Sequence, residues 1–117
     1  MLPARRKAPR SGIMRGPRRV WPRHEKFVRG HICCVPGCQG DPIVFAHIRS
    51  AANSGKALKP ASWYGISLCD GHHKEQHRGD KTFSAKYGID VWQLAAEFAR
   101  RSPDLVMRAA MREAGHD

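Results

Sequence analysis

One cysteine and three histidines fall within nine residues of the chain, as Cys69, His72, His73 and His77. Thiolate and imidazole are the ligands that zinc selects, and no other stretch is as dense in them. On a helix that begins near Gly71, His73 and His77 stand at i and i+4 on one face. Their Cβ atoms are then about 6 Å apart, close enough to share an ion. His72 is turned about 100° from that face and pairs in sequence with Cys69 as a Cys-x2-His knuckle. The segment has ligands for two metals.

A matching knuckle lies upstream in Cys33-Cys34-Val35-Pro36-Gly37-Cys38, where Pro-Gly between cysteines supplies a tight turn. Cys33 gives a Cys-x4-Cys spacing and Cys34 a Cys-x3-Cys spacing; Cys33 is favoured, with Cys34 the alternative. Either one with Cys38, Cys69 and His72 makes a Cys3His set, the closed shell of a structural zinc. In a small domain poor in aliphatic residues, metal binding then contributes directly to folding. A Cys2His2 finger built on His73 and His77 is disfavoured, because 34 residues separate Cys38 from His73 and such fingers span about 12–15.

A two-histidine site differs from a closed zinc shell in having open coordination positions. These admit a phosphate oxygen and water, and the ion can stabilise charge on the leaving oxygen of an in-line displacement at phosphorus. His47 suits the general base, since neutral imidazole accepts a proton near pH 7. Arg49 and Arg78 are candidates to bind the phosphate.

The elements that must position these groups fit one small domain within 117 residues. The first thirty residues hold ten Lys or Arg against one acid, Glu25, so 10 − 1 = +9 of the net +11 is gathered at one end. Pro3, Pro9, Gly12, Gly16, Pro17 and Pro22 interrupt this run. The composition predicts a disordered basic arm over 1–22 and a folded domain over 23–117, with nucleic acid as the partner. A solubilising tail or a membrane-surface contact is the plainer reading of the arm. No secretory or membrane-spanning run is visible, which implies a cytoplasmic chain, and cysteines set beside clustered histidines favour metal over disulfides.

Within the domain a short helix is expected over Arg23–Val28. Asp41-Pro42 opens a strand over Ile43–Ile48, expected to form a hairpin around the first knuckle. A loop with Lys56 and Lys59 follows, then Trp63–Leu68 as an apolar approach to Cys69. Asp90 as N-cap with Gln93 three residues later predicts a helix over Val91–Arg101. Ser102-Pro103 reads as another cap, with a helix from Pro103 to about Ala114. Phe83, Tyr87, Trp92 and Phe98 are expected to pack. His24 and His31 read as surface or strand histidines, and His116 as part of a fraying end.

The ordered series of first knuckle, Ala46-His47-Ile48-Arg49, long loop and Leu68-Cys69-x2-His72-His73-x3-His77 resembles the HNH, or ββα-metal, endonucleases. The likeness is greatest to small phage-encoded members related to the Ref nuclease, and His73-x3-His77-Arg78-Gly79 is similar to the metal helix of the nuclease colicins. It covers roughly residues 28 to 80. The resemblance implies an α+β fold, a zinc-stapled ββα-metal domain with two C-terminal helices. It also implies a bacterial or phage-infected cell and cleavage of DNA, double-stranded or branched. His47 would be the base, and His73 and His77 the ligands of Mg²⁺ or Mn²⁺, with Zn²⁺ the alternative. Ala46 stands where the superfamily commonly has a third ligand, and Trp63-Tyr64 where its central Asn is expected. The alternative function is accordingly a catalytically inactive, zinc-stapled nucleic-acid-binding module.

Overall fold

The computed structural model describes residues 19–48 and 61–115. Arg49, Lys56, Lys59, His116 and the predicted arm up to residue 18 lie outside the described residues. The described elements are α1 (Pro22–Arg29), β1 (Ile43–His47), β2 (Gly65–Cys69), α2 (Asp70–Gln76), α3 (Asp80–Tyr87), α4 (Val91–Arg101) and α5 (Leu105–Glu113). This is an α+β arrangement around a two-stranded antiparallel sheet. Among the described residues no helix is long and apolar enough to cross a membrane.

β1 pairs with β2 across the long loop, with Ile43 opposite Cys69, Phe45 opposite Ser67 and His47 opposite Gly65. The expected hairpin around the first knuckle does not form. The knuckle instead docks on β2: the Cys34 N–H donates to Ser67 O at 2.9 Å, and the Ser67 hydroxyl donates to Ile32 O at 2.8 Å. Burial explains the choice of partner. Every residue of β2 is buried, whereas Ile32, just before the knuckle, is 70 % exposed. Pairing β1 with β2 therefore removes more apolar surface from water.

The period-2 pattern of the strands divides the sheet into two faces. Ala46, Ile66 and Leu68 share one face and pack with Phe83, Val91 and Ala95 from the later helices. Phe45, His47, Gly65 and Ser67 share the other. There α1 lies against the sheet, with the buried His24 ring edge-on to Phe45. The Phe45 ring lies so close over Gly65 that no Cβ fits beneath it.

α3 has no counterpart among the sequence expectations, which named no helix between the His73–His77 segment and Asp90. Its apolar face is short, because only Phe83 and Tyr87 repeat at i, i+4, and their rings meet edge-on with centroids 5.0 Å apart. Gly79 (φ 147°) turns the chain out of α2, and Gly88 (φ 64°) ends α3 in the left-handed region that favours glycine. α4 forms as predicted, with Asp90 Oδ1 accepting the Gln93 N–H at 3.1 Å.

α5 starts two residues later than expected. Proline restricts the residue before it to extended backbone, and Ser102, at ψ 137°, closes α4 instead. Asp104 is the cap of α5, accepting the Met107 N–H at 3.0 Å.

His24 corrects a second expectation, being fully buried rather than at the surface. Its Nδ1 meets Ser102 Oγ at 2.8 Å, and the same hydroxyl accepts the Asp104 N–H at 3.1 Å. This polar contact ties α1 to the α4–α5 junction. Burial pushes the imidazole down from 6.5 to about 4, with Asp104 and Glu25 pulling weakly the other way. The unfolded chain therefore binds the proton at higher pH than the folded one. The contribution is complete above about pH 6.5 and is lost as pH falls toward about 4, amounting to up to about 3 kcal/mol. Thermal melts across that window should show falling stability, and His24→Asn, which cannot titrate, should show a shallower fall. Gly65→Ala should lower stability by roughly 2–3 kcal/mol in urea unfolding, because its methyl group displaces the Phe45 ring.

Candidate metal centre

Four side chains from two knuckles meet at one point. Cys33 and Cys38 come from the turn before β1, Cys69 ends β2, and His72 lies in the first turn of α2. The ligand atoms of Cys33, Cys38, Cys69 and His72 all lie within 4.8 Å of one another. Cys69 Sγ is 3.8 Å from Cys38 Sγ, and His72 Nδ1 is 3.4 Å from Cys33 Sγ and 3.2 Å from Cys69 Sγ. A tetrahedral zinc with ordinary bond lengths has S–S edges of about 3.8 Å and S–N edges of about 3.5 Å. The set fits such an ion, and the sulfur separation is far beyond the length of a disulfide.

The surroundings suit thiolates. Gly40 N–H points at Cys38 Sγ at 3.4 Å, and His72 N–H points at Cys69 Sγ at the same distance. The Gly40 amide holds the Cys38 thiol below its usual range, whereas burial pushes Cys33 up to about 11. A bound cation offsets that burial cost by replacing the proton.

α3 walls the cluster on one side. The Tyr87 ring stands edge-on to His72 at 5.1 Å, and its hydroxyl donates to Glu75 Oε1 at 2.5 Å. Lys86 donates to the other oxygen of Glu75 at 2.6 Å. Both bonds, Lys86 first, hold the Glu75 carboxyl below the usual range.

His73 and His77 lie apart from this cluster. Their Nε2 atoms are 3.0 Å apart, and the backbone keeps helical geometry through His77, whose N–H donates to His73 O at 3.2 Å. Among the described residues no further cysteine, histidine or carboxylate completes a metal-ligand group with them. Arg78 follows directly and is exposed.

His47 reaches the helix through its main chain. Gln76, fully buried, donates from Nε2 to His47 O at 2.8 Å and to Asp80 Oδ1 at 2.7 Å. One amide thus joins β1, α2 and α3 beside His77. Spacing gave no sign of this residue, since a single glutamine in a polar helix reads as solvent-facing. Its Oε1 has no hydrogen-bond partner among the described residues.

A family model described as a protein of unknown function, DUF968, matches residues 6–104. The chain belongs to the DUF968 family. Comparison with curated proteins and with solved structures gives no match. The DUF968 span includes both knuckles, His47, His73, His77 and Arg78.

The structure separates the two adjacent cysteines of this DUF968 chain. Cys33 joins the cluster, whereas Cys34 Sγ faces Ser67 Oγ at 3.5 Å. Burial raises the Cys34 thiol, so it stays protonated at neutral pH. Zinc analysis should find one ion per chain in the parent and in Cys34→Ser, and much less in Cys33→Ser or Cys38→Ser. Calorimetric titration in buffers of different ionisation enthalpy should show proton release on zinc binding, with affinity rising as pH rises.

Proposed function

We propose that this chain is a metal-dependent endonuclease that hydrolyses DNA phosphodiester bonds. The observation that carries this reading is the 3.0 Å approach of His73 Nε2 to His77 Nε2, outside the Cys3His cluster and on the helix that cluster holds. A structural zinc needs no second imidazole pair, and a pair with open positions suits a substrate-binding ion. The likeness of the motif series to the HNH endonucleases supports the same assignment.

Each residue then has a separate task. His73 and His77 hold a divalent ion, Mg²⁺ or Mn²⁺ with Zn²⁺ the alternative. When bound, that ion supplies charge stabilisation at the scissile phosphate and its leaving oxygen. His47 accepts the proton of the attacking water through a neutral ring nitrogen. Gln76 fixes the His47 main chain against the metal helix, and so sets where that ring is presented. Arg78, exposed next to His77, pairs with a phosphate oxygen. The Cys3His cluster takes no part in the chemistry and holds the sheet, α2 and the first knuckle in register.

One observation favours a second reading, a zinc-stapled module that binds nucleic acid without cutting it. Ala46, the residue before His47, is fully buried and packs in the core. That position offers no third ligand, and an ion on His73 and His77 would rely on water and phosphate for the rest of its shell.

Supercoiled plasmid distinguishes the two. Nicking that requires added Mg²⁺ or Mn²⁺ is expected in the parent, with a loss of at least about a hundredfold in His73→Ala and in His47→Ala. Zinc content and DNA retention should stay at parent level in both variants. Absence of cleavage with any metal, while DNA is still retained, would leave the binding module as the function.

A further inference from the structure

α1 carries basic side chains on the face that points away from the sheet. At about 100° per residue, the buried His24 and Val28 mark its inner side, and Lys26 stands nearly opposite both. Arg23 and Arg29 flank Lys26 about 60° to either side. All three are exposed, and none enters an ion pair among the described residues. The only acid in the helix is Glu25. It is turned away to accept the Ser62 hydroxyl at 2.6 Å, so the outer face presents positive charge alone.

Two ordinary explanations cover only part of this. Cations in the last turn complement the helix dipole, which accounts for Lys26 and Arg29. Arg23 sits in the first turn, where the same dipole disfavours a cation. A solvated helix face commonly mixes both signs in i,i+3 or i,i+4 pairs, as Asp70–Lys74 and Glu97–Arg101 do elsewhere in this chain.

We propose that Arg23, Lys26 and Arg29 form a rigid contact for the phosphate backbone of duplex DNA. This rests on the reading of the chain as one that acts on nucleic acid, and it holds for the cleaving and the non-cleaving alternative alike. The stripe rises about 9 Å from Arg23 to Arg29. Duplex DNA presents one phosphate charge per about 1.7 Å of its axis, so several phosphates lie within reach of three long side chains. The stripe has a fixed relation to the site. The inner side of α1 touches Phe45 through His24, and the Phe45 ring meets His47 edge-on, with centroids 5.0 Å apart. A duplex held on the stripe is therefore held at a set position relative to His47. The contact reads no bases and gives no sequence preference.

The test is binding of a labelled duplex of mixed sequence to the full chain, loaded with zinc and without added Mg²⁺ or Mn²⁺, over a series of salt concentrations. The variants are Arg23→Gln, Lys26→Gln, Arg29→Gln combined, and a control with the same loss of charge, Lys81→Gln, Arg101→Gln, Arg112→Gln combined. Far-UV circular dichroism and zinc content establish that each is folded. With all three side chains on phosphates, the slope of log affinity against log salt should fall in magnitude by about 2.7 in the stripe variant. Its affinity near 0.1 M salt should drop at least about tenfold, and the control should change by less than half as much. Equal losses in the two variants, or none in either, would overturn the proposal, as would a parent that fails to bind duplex at low salt. Cleavage is scored separately with Mn²⁺ added. A parent that binds through the stripe but does not cut removes the nuclease reading and leaves this contact standing.

Discussion

Cys69 serves three structures. It ends the strand that pairs with Ile43, its sulfur accepts the His72 N–H as the cap of α2, and the same sulfur belongs to the Cys3His cluster. Strand, helix and knuckle consequently meet at one residue. A two-stranded sheet is marginal by itself in water, and α2 is too short to persist alone. Joining both to residues some thirty positions earlier restricts the chain far more than either element's local hydrogen bonds. The apolar core on Ile66, Leu68 and Phe83 then has a defined shape to fill.

From that point the fold is extended by buried polar contacts that each join separate elements. Gln76 links β1, α2 and α3 through one amide nitrogen. Ser67 links β2 to the knuckle, and His24 links α1 to the α4–α5 junction through Ser102. Each such group costs free energy to bury and recovers it only when its partner is in place. They therefore select one arrangement of the helices where apolar contact alone would tolerate several. Gln76 lies immediately before His77, so the contact that orders the fold also sets the approach of the His47 strand to the histidine pair.

Ligand chemistry separates the two histidine environments on α2. His72 turns inward beneath Tyr87 and meets two sulfurs, while His73 and His77 meet each other and remain near solvent. A single helix can hold both arrangements because adjacent residues differ by about 100° in direction. The helix thus contributes His72 to the Cys3His cluster and presents His73 and His77 beside it.

Ligand type, spacing and helical period were enough to group Cys33 or Cys34, Cys38, Cys69 and His72 and to place His73 beside His77. They are local properties, readable wherever a few residues define the geometry. The Asp90 cap and the α4 pattern were legible for the same reason. The partner of β1 was decided elsewhere, because pairing depends on which distant segment buries more surface, and β2 is buried along its whole length. The choice between Cys33 and Cys34 likewise needed the docked knuckle, since both spacings satisfy zinc and only the Ser67 contact withdraws Cys34. α3 escaped notice because two aromatics in eight residues make too weak a period, and it takes its place by packing against His72 and Glu75. Gln76 and His24 carried no sequence signal at all. A polar side chain becomes a structural tie only when tertiary packing excludes water and brings it a partner from another element.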